Sequence, residues 1–196
     1  MANKPSTRTL VVGALLTALV FVLQFAGASV KFGTFSISLV LIPIVIGAVT
    51  CKKWIGAWLG LVFGFAVLAS GDANLFLSFN AAGTIITVLL KGAACGFISG
   101  AVYELLFKAT KKTYLSTVVS AIVCPIINTG LFLLGCKVFL MDAVAYLAGS
   151  GADLGKFMIF VLVGVNFLVE MAVIIIFTPA IVYIIKSVSK NRGRQV

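Results

Sequence analysis

Four polar side chains stand at a spacing suited to ligand recognition. Asn80, Thr84, Thr87 and Lys91 follow one another at intervals of four, three and four inside a long apolar run. On a helix these intervals fall on one face. A later run carries Asn166 and Glu170, again four apart, and another carries Asn128-Thr129-Gly130 shortly after Pro125. That proline weakens the local helix and frees a carbonyl. Gln24 stands near the far end of the first run. Amides and hydroxyls offer donors and acceptors together, so such a set can hold a small polar molecule. The same residues have a structural use. Lys91 and Glu170 can form a buried ion pair, which residue type alone favours because unpaired charges at membrane depth cost several kcal/mol. Asn128 and Asn166 can tie helices together for about 1 kcal/mol or less.

Several other chemistries lack their residues. The chain has no histidine, no GxxxxGK[ST] phosphate loop, no GxSxG and no HExxH, so ATP hydrolysis by that loop and the usual hydrolase and zinc-protease arrangements are unavailable. The cysteines Cys51, Cys95, Cys124 and Cys136 show no CxxC spacing, and three lie within apolar runs. They read as small buried hydrophobes rather than disulfides or metal ligands. Cys51 sits beside Lys52 and Lys53 but has no accompanying base, which argues against nucleophilic catalysis. No catalytic residue, metal or cofactor is expected, and the chain is not expected to be an enzyme.

The elements that must position these residues are membrane helices. Of 196 residues 62% are hydrophobic and only 10% are charged, against about 25% charged in soluble domains. A net charge of +10 raises the possibility of nucleic acid, but the charges cluster between apolar runs as topogenic signals do. Six spans are expected, at 9–28, 36–50, 54–70, 81–107, 115–141 and 157–186, forming an all-α integral membrane bundle in one domain, 1–196. The second and third are short for a core of about 30 Å. Lys4 and Arg8 precede the first run as in a secretory leader, but that run is long and is expected to be retained. With six spans, eleven basic residues fall on the side of the termini and three on the other, with Lys91 inside a span. Both termini are therefore expected to be cytoplasmic. The outer segments are then 29–35, 71–79 and 142–156, the last read as a long flexible loop, with Asp72, Asp142 and Asp153 only solvated. The polar groups run from the outer boundary to the midplane, with few in the inner half. That distribution describes a pocket opening outward rather than a through-channel.

Small residues recur at helical spacing. Gly56, Gly60 and Gly64 lie four apart, as do Gly92, Gly96 and Gly100, and these rows are expected to pack inside the bundle. Ala14 and Ala18 form a similar pair in the first span, where the spacing serves internal packing and a partner contact equally well.

In order along the chain, these features resemble the substrate-binding S components of energy-coupling-factor (ECF) transporters. The resemblance rests on six spans, Ala14 and Ala18, the run Leu41-Ile42-Pro43-Ile44-Val45-Ile46-Gly47-Ala48, and the run from Lys53 through Gly64. Lys91-Gly92 and Asn128-Thr129-Gly130 fit as well. A Gly-Pro often found before Lys53 in the family is here Cys51-Lys52. The resemblance implies a high-affinity binding subunit of the cell membrane that captures a vitamin or similar micronutrient from outside. It then docks on a transmembrane coupling protein served by two cytoplasmic ATPases. Ala14 and Ala18 become docking residues. Lys31, Phe32, Asn80, Thr84, Thr87, Lys91, Asn128, Thr129, Asn166 and Glu170 become substrate-binding candidates. The acidic residue and lysine of flavin-binding members have Leu41-Ile42 and Glu170 in their places, which lowers riboflavin; pantothenate and pyridoxine-like compounds stay open. The competing reading from the residues is a self-sufficient, proton-coupled carrier using Lys91 and Glu170.

Overall fold

A computed structural model describes residues 7–28, 31–32, 35–36 and 39–193, and side chains within these except for Arg8, Lys31, Phe32, Phe35, Ser36, 162–163, 165–166 and 186–193. The chain is almost wholly helical. It begins with α1 (Thr7–Ala28), followed by the two-residue antiparallel strands β1 (Lys31–Phe32) and β2 (Phe35–Ser36). Then come α2 (Leu41–Thr50), α3 (Lys53–Ser70), α4 (Asn74–Phe79), α5 (Ala81–Thr110) and α6 (Thr113–Phe139). The chain continues with α7 (Met141–Ala148), α8 (Leu154–Lys156), a π-helical stretch (Phe157–Gly164) and α9 (Val165–Gly193).

Among the described residues five helices are long and apolar enough to cross a membrane: Thr9–Ala28, Lys53–Ser70, Ala81–Thr110, Thr113–Phe139 and Phe167–Ile185. The expected second span departs from this. Its helix, α2, has 10 residues, about 15 Å at 1.5 Å per residue, or half a hydrocarbon core. Pro43 fits because it lies in the first turn, where its missing N–H has no helical acceptor to lose. Leu41, Ile44, Val45 and Ala48 are almost fully buried, so α2 is an interior helix of one half of the bundle.

Glycines decide how α3 and α5 meet. A Cβ on Gly60 would fall inside the carbonyl of Gly92, one on Gly92 inside that of Gly60, and one on Gly96 inside that of Gly56. The two rows therefore interlock backbone to backbone in antiparallel register, which lipid cannot drive but close dispersion contact can. They pack within the bundle, as expected from their spacing. Ala48 packs on Gly56 and Gly100, and Leu16 and Leu59 pack on Gly47. The end of α2, the start of α3 and the end of α5 thus share one end of the bundle. Lys53 and Glu104 pair there at 3.1 Å, and Lys111 takes a left-handed turn (φ 56°) into α6. This is the basic end. At the opposite end Gly71 (φ 83°) terminates α3, and Gln24 of α1 donates to Asp72 at 2.7 Å and to Ser70 at 3.3 Å.

Two expectations about that opposite end need correction. Asp72 is tied to α1 rather than only solvated. Segment 142–156 is not a uniform flexible loop: its first half is α7, with Ala143 and Val144 fully buried. Asp153 caps α8 by accepting from the backbone N–H of Gly155 and Lys156, which satisfies donors that a helix start leaves open.

Candidate functional site

The α5–α6 hairpin sets the register of the polar residues. The Ser99 and Ser120 hydroxyls are 2.9 Å apart, and each hydroxyl also bonds the other residue's carbonyl, at 2.8 and 2.9 Å. Further along, Thr87 packs on Gly135. Counting between these two anchors places Lys91 opposite 128–131.

At that level the structure leaves polar atoms unsatisfied. Thr87 and Asn128 are only 4% and 5% exposed, and among the described residues neither Thr87 Oγ1 nor Asn128 Oδ1 has a hydrogen-bond partner. Each such atom costs about 1–3 kcal/mol unless something else satisfies it. The Lys91 ammonium lies over two aromatic faces, 5.6 Å from the centre of Phe63 and 5.1 Å from that of Phe132. Cation–π attraction holds it there. No carboxylate lies within ion-pair distance of it among the described residues. Glu170 of α9 is buried, and among the described residues the direct Lys91–Glu170 ion pair that residue type favoured is not formed.

The other polar residues of α5 are committed to the helix itself. Asn80 caps it: Oδ1 accepts from the N–H of Gly83 at 2.9 Å, and Nδ2 donates to the carbonyl of Phe139 at 3.0 Å. Thr84 turns its hydroxyl back to the Asn80 carbonyl at 2.7 Å. Of these four residues, Thr87 and Lys91 thus keep groups for something else. Thr129 is rotated about 100° round the helix from Asn128 and is half-buried. Lys31 and Phe32 pair through the backbone with Ser36 and Phe35; their side chains and that of Asn166 lie outside the described residues. The π-helical stretch runs directly into Val165, and a wide turn of this kind re-phases the helix that follows.

The basic half of the bundle is not poor in buried polar groups, contrary to the expectation. Ser99, Ser116, Thr117 and Ser120 are all fully buried there. Ser116 and Thr117 bond the carbonyls of Lys112 and Thr113, and the Ser99–Ser120 pair satisfies itself. Their needs are met internally, so they do not extend the unsatisfied cluster toward the basic end. Sequence reading missed this pair, although Ser99 lies four residues from Cys95 on the face that meets α6. It also missed Phe63 and Phe132. Phe132 is one helical turn beyond Asn128, a spacing that could have signalled it.

A second surface lies on α1. Only 17% of its apolar window is buried, against 33–44% for the other four long helices. Leu16, Val20 and Gln24 face inward, whereas Ala14 and Ala18 are exposed. Internal packing of the alanine pair is therefore not what this fold uses. Beside them Trp58, itself 54% exposed, donates its indole N–H to Thr17 at 3.3 Å.

The fold is a multi-pass membrane bundle with a cluster of buried polar groups between its helices. The chain belongs to the ECF transporter substrate-specific component family, whose model matches residues 8–182. Members of that family are substrate-binding transport subunits rather than enzymes. Among solved structures, ThiT from Listeria monocytogenes has a similar fold, with a TM-score of 0.67 at 23% identity over 93% of this chain and 95% of that one. No curated protein sequence matches significantly.

Proposed function

We propose that this chain is the high-affinity binding subunit of an ECF-type importer. It takes a vitamin or similar micronutrient at the end bearing Asp72 and α7 and delivers it through a transmembrane coupling protein powered by two ATPases. The observation that carries this reading is the pair of buried, unsatisfied atoms Thr87 Oγ1 and Asn128 Oδ1 beside the Lys91 ammonium, in a chain of the substrate-specific family. Burying unmet polar groups destabilises a bundle, and a bound ligand is what would compensate. Lys31, Phe32, Asn166 and Glu170 complete the proposed site; Asn80, Thr84 and Thr129 fall to structural roles or its margin. The excess of basic residues at one end supports a cytoplasmic location for both termini. The exposed Ala14 and Ala18 supply a smooth strip for a partner helix.

The test is Ala14→Leu and Ala18→Leu. Each variant should bind substrate as the parent does when purified, yet lose uptake in cells that carry the coupling module. Normal uptake by both variants would refute the docking role. A second reading, a proton-coupled carrier, draws on Lys91 and Glu170 as ionisable residues at membrane depth; it requires gradient-driven uptake by the isolated chain.

A further inference from the structure

Resting on the reading of this region as a substrate site, we propose that the ligand presents a cyclic amide edge, a ring C=O beside a ring N–H. The N–H meets Asn128 and the carbonyl meets Lys91. Asn128 Oδ1 is an acceptor without a donor, so the ligand must supply an N–H or O–H. Lys91 is a donor whose head group lies over the ring faces of Phe63 and Phe132, so a ligand there can supply its acceptor. The hairpin register sets Lys91 opposite 128–131, and Phe132 stands one turn above Asn128 while touching the Lys91 head group. Donor and acceptor on the ligand must therefore lie close together. Thr87 precedes Lys91 by one turn on α5 and adds a hydroxyl that can give or receive a third bond.

The two hydrogen-bonding needs argue for an amide edge over a carboxylate or an amine. A carboxylate offers Asn128 Oδ1 no donor, and an ammonium offers Lys91 no acceptor. An amide edge satisfies both hydrogen-bonding needs with no net charge. The two phenyl faces suit a flat ring.

Calorimetry on the full chain in mild detergent tests this with five probes. Lumichrome, pterin and biotin carry the ring C=O/N–H pair; nicotinate and pyridoxine do not. At least one of the first three should bind, about tenfold or more tighter than either of the others. Asn128→Leu should weaken that probe by about tenfold, and Asn128→Asp, which keeps an acceptor, should recover most of the loss. Lys91→Met should weaken it by about 10- to 100-fold. Tightest binding by nicotinate or pyridoxine with the same sensitivity at both positions would overturn the amide edge while leaving the site in place. A probe that binds indifferently to both substitutions would overturn the site reading as well. Binding of none of the five overturns the edge.

Discussion

Replacing Gly60 by alanine adds one methyl group at the place where α3 and α5 interlock. The new Cβ would fall inside the Gly92 carbonyl and lie about as close to Gly92 C as 2.6 Å, with Ala93 N at 3.2 Å. All three atoms are backbone, so no rotamer change relieves the overlap and the helices must separate. Overpacking of this kind costs about 1–3 kcal/mol, with loss of close dispersion contacts along the seam as well. At about 2–4 °C per kcal/mol for a chain of this size, the melting midpoint should fall by several degrees. Gly130 is the control: nothing lies within 4 Å of its added Cβ, and alanine favours a helix there by up to about 1 kcal/mol. Thermal melting of both variants in one detergent, followed by tryptophan fluorescence, makes the comparison. Gly60→Ala should melt lower and Gly130→Ala at or above the parent. The same shift of α3 moves Phe63 relative to Lys91, so substrate affinity should fall with stability. Parental melting of Gly60→Ala would refute the interlocked seam.

Three further outcomes follow from the geometry. Asn80→Ala removes a helix cap and should cost about 1 kcal/mol of stability while leaving substrate affinity unchanged; a large affinity loss would return Asn80 to the site. In a double-mutant cycle of Ser99→Ala and Ser120→Ala, the two losses should be non-additive by about 0.5–1.7 kcal/mol, whereas strict additivity would contradict the reciprocal bond. Trp58→Phe removes the indole N–H that reaches Thr17 beside the alanine strip; uptake should drop with ligand affinity intact, and an unchanged uptake rate would take Trp58 out of the docking surface.

The long helices were legible because nothing else produces 18 or more apolar residues in sequence. The half-length α2 was not. Hydropathy reads 36–50 as continuous, and the helix in fact starts only at Leu41, after a second strand that ends at Ser36. The glycine seam was readable from its period of four, although which rows face each other needed coordinates. Spacing put Asn80, Thr84, Thr87 and Lys91 on one helical face, but Asn80 is the extended cap before the helix, and angle says nothing of who satisfies whom. Asn80 went to the cap because the first helical N–H groups lack acceptors, and Thr84 bonded back to its carbonyl. Lys53–Glu104, Gln24–Asp72 and Ser99–Ser120 each join residues far apart in sequence, and no local pattern announces such pairs. The alanine pair was ambiguous by spacing; its exposure on the least covered long helix argues against internal packing.

Under the proposed function the chain binds its substrate alone but cannot move it alone. The most direct measurement reconstitutes the purified chain into liposomes, with and without the coupling protein and ATPases, and follows uptake of the molecule that co-purifies with it. Binding is expected in both preparations and ATP-dependent uptake only in the complete one. Uptake by the isolated chain, driven by an imposed ion gradient, would contradict the proposed function.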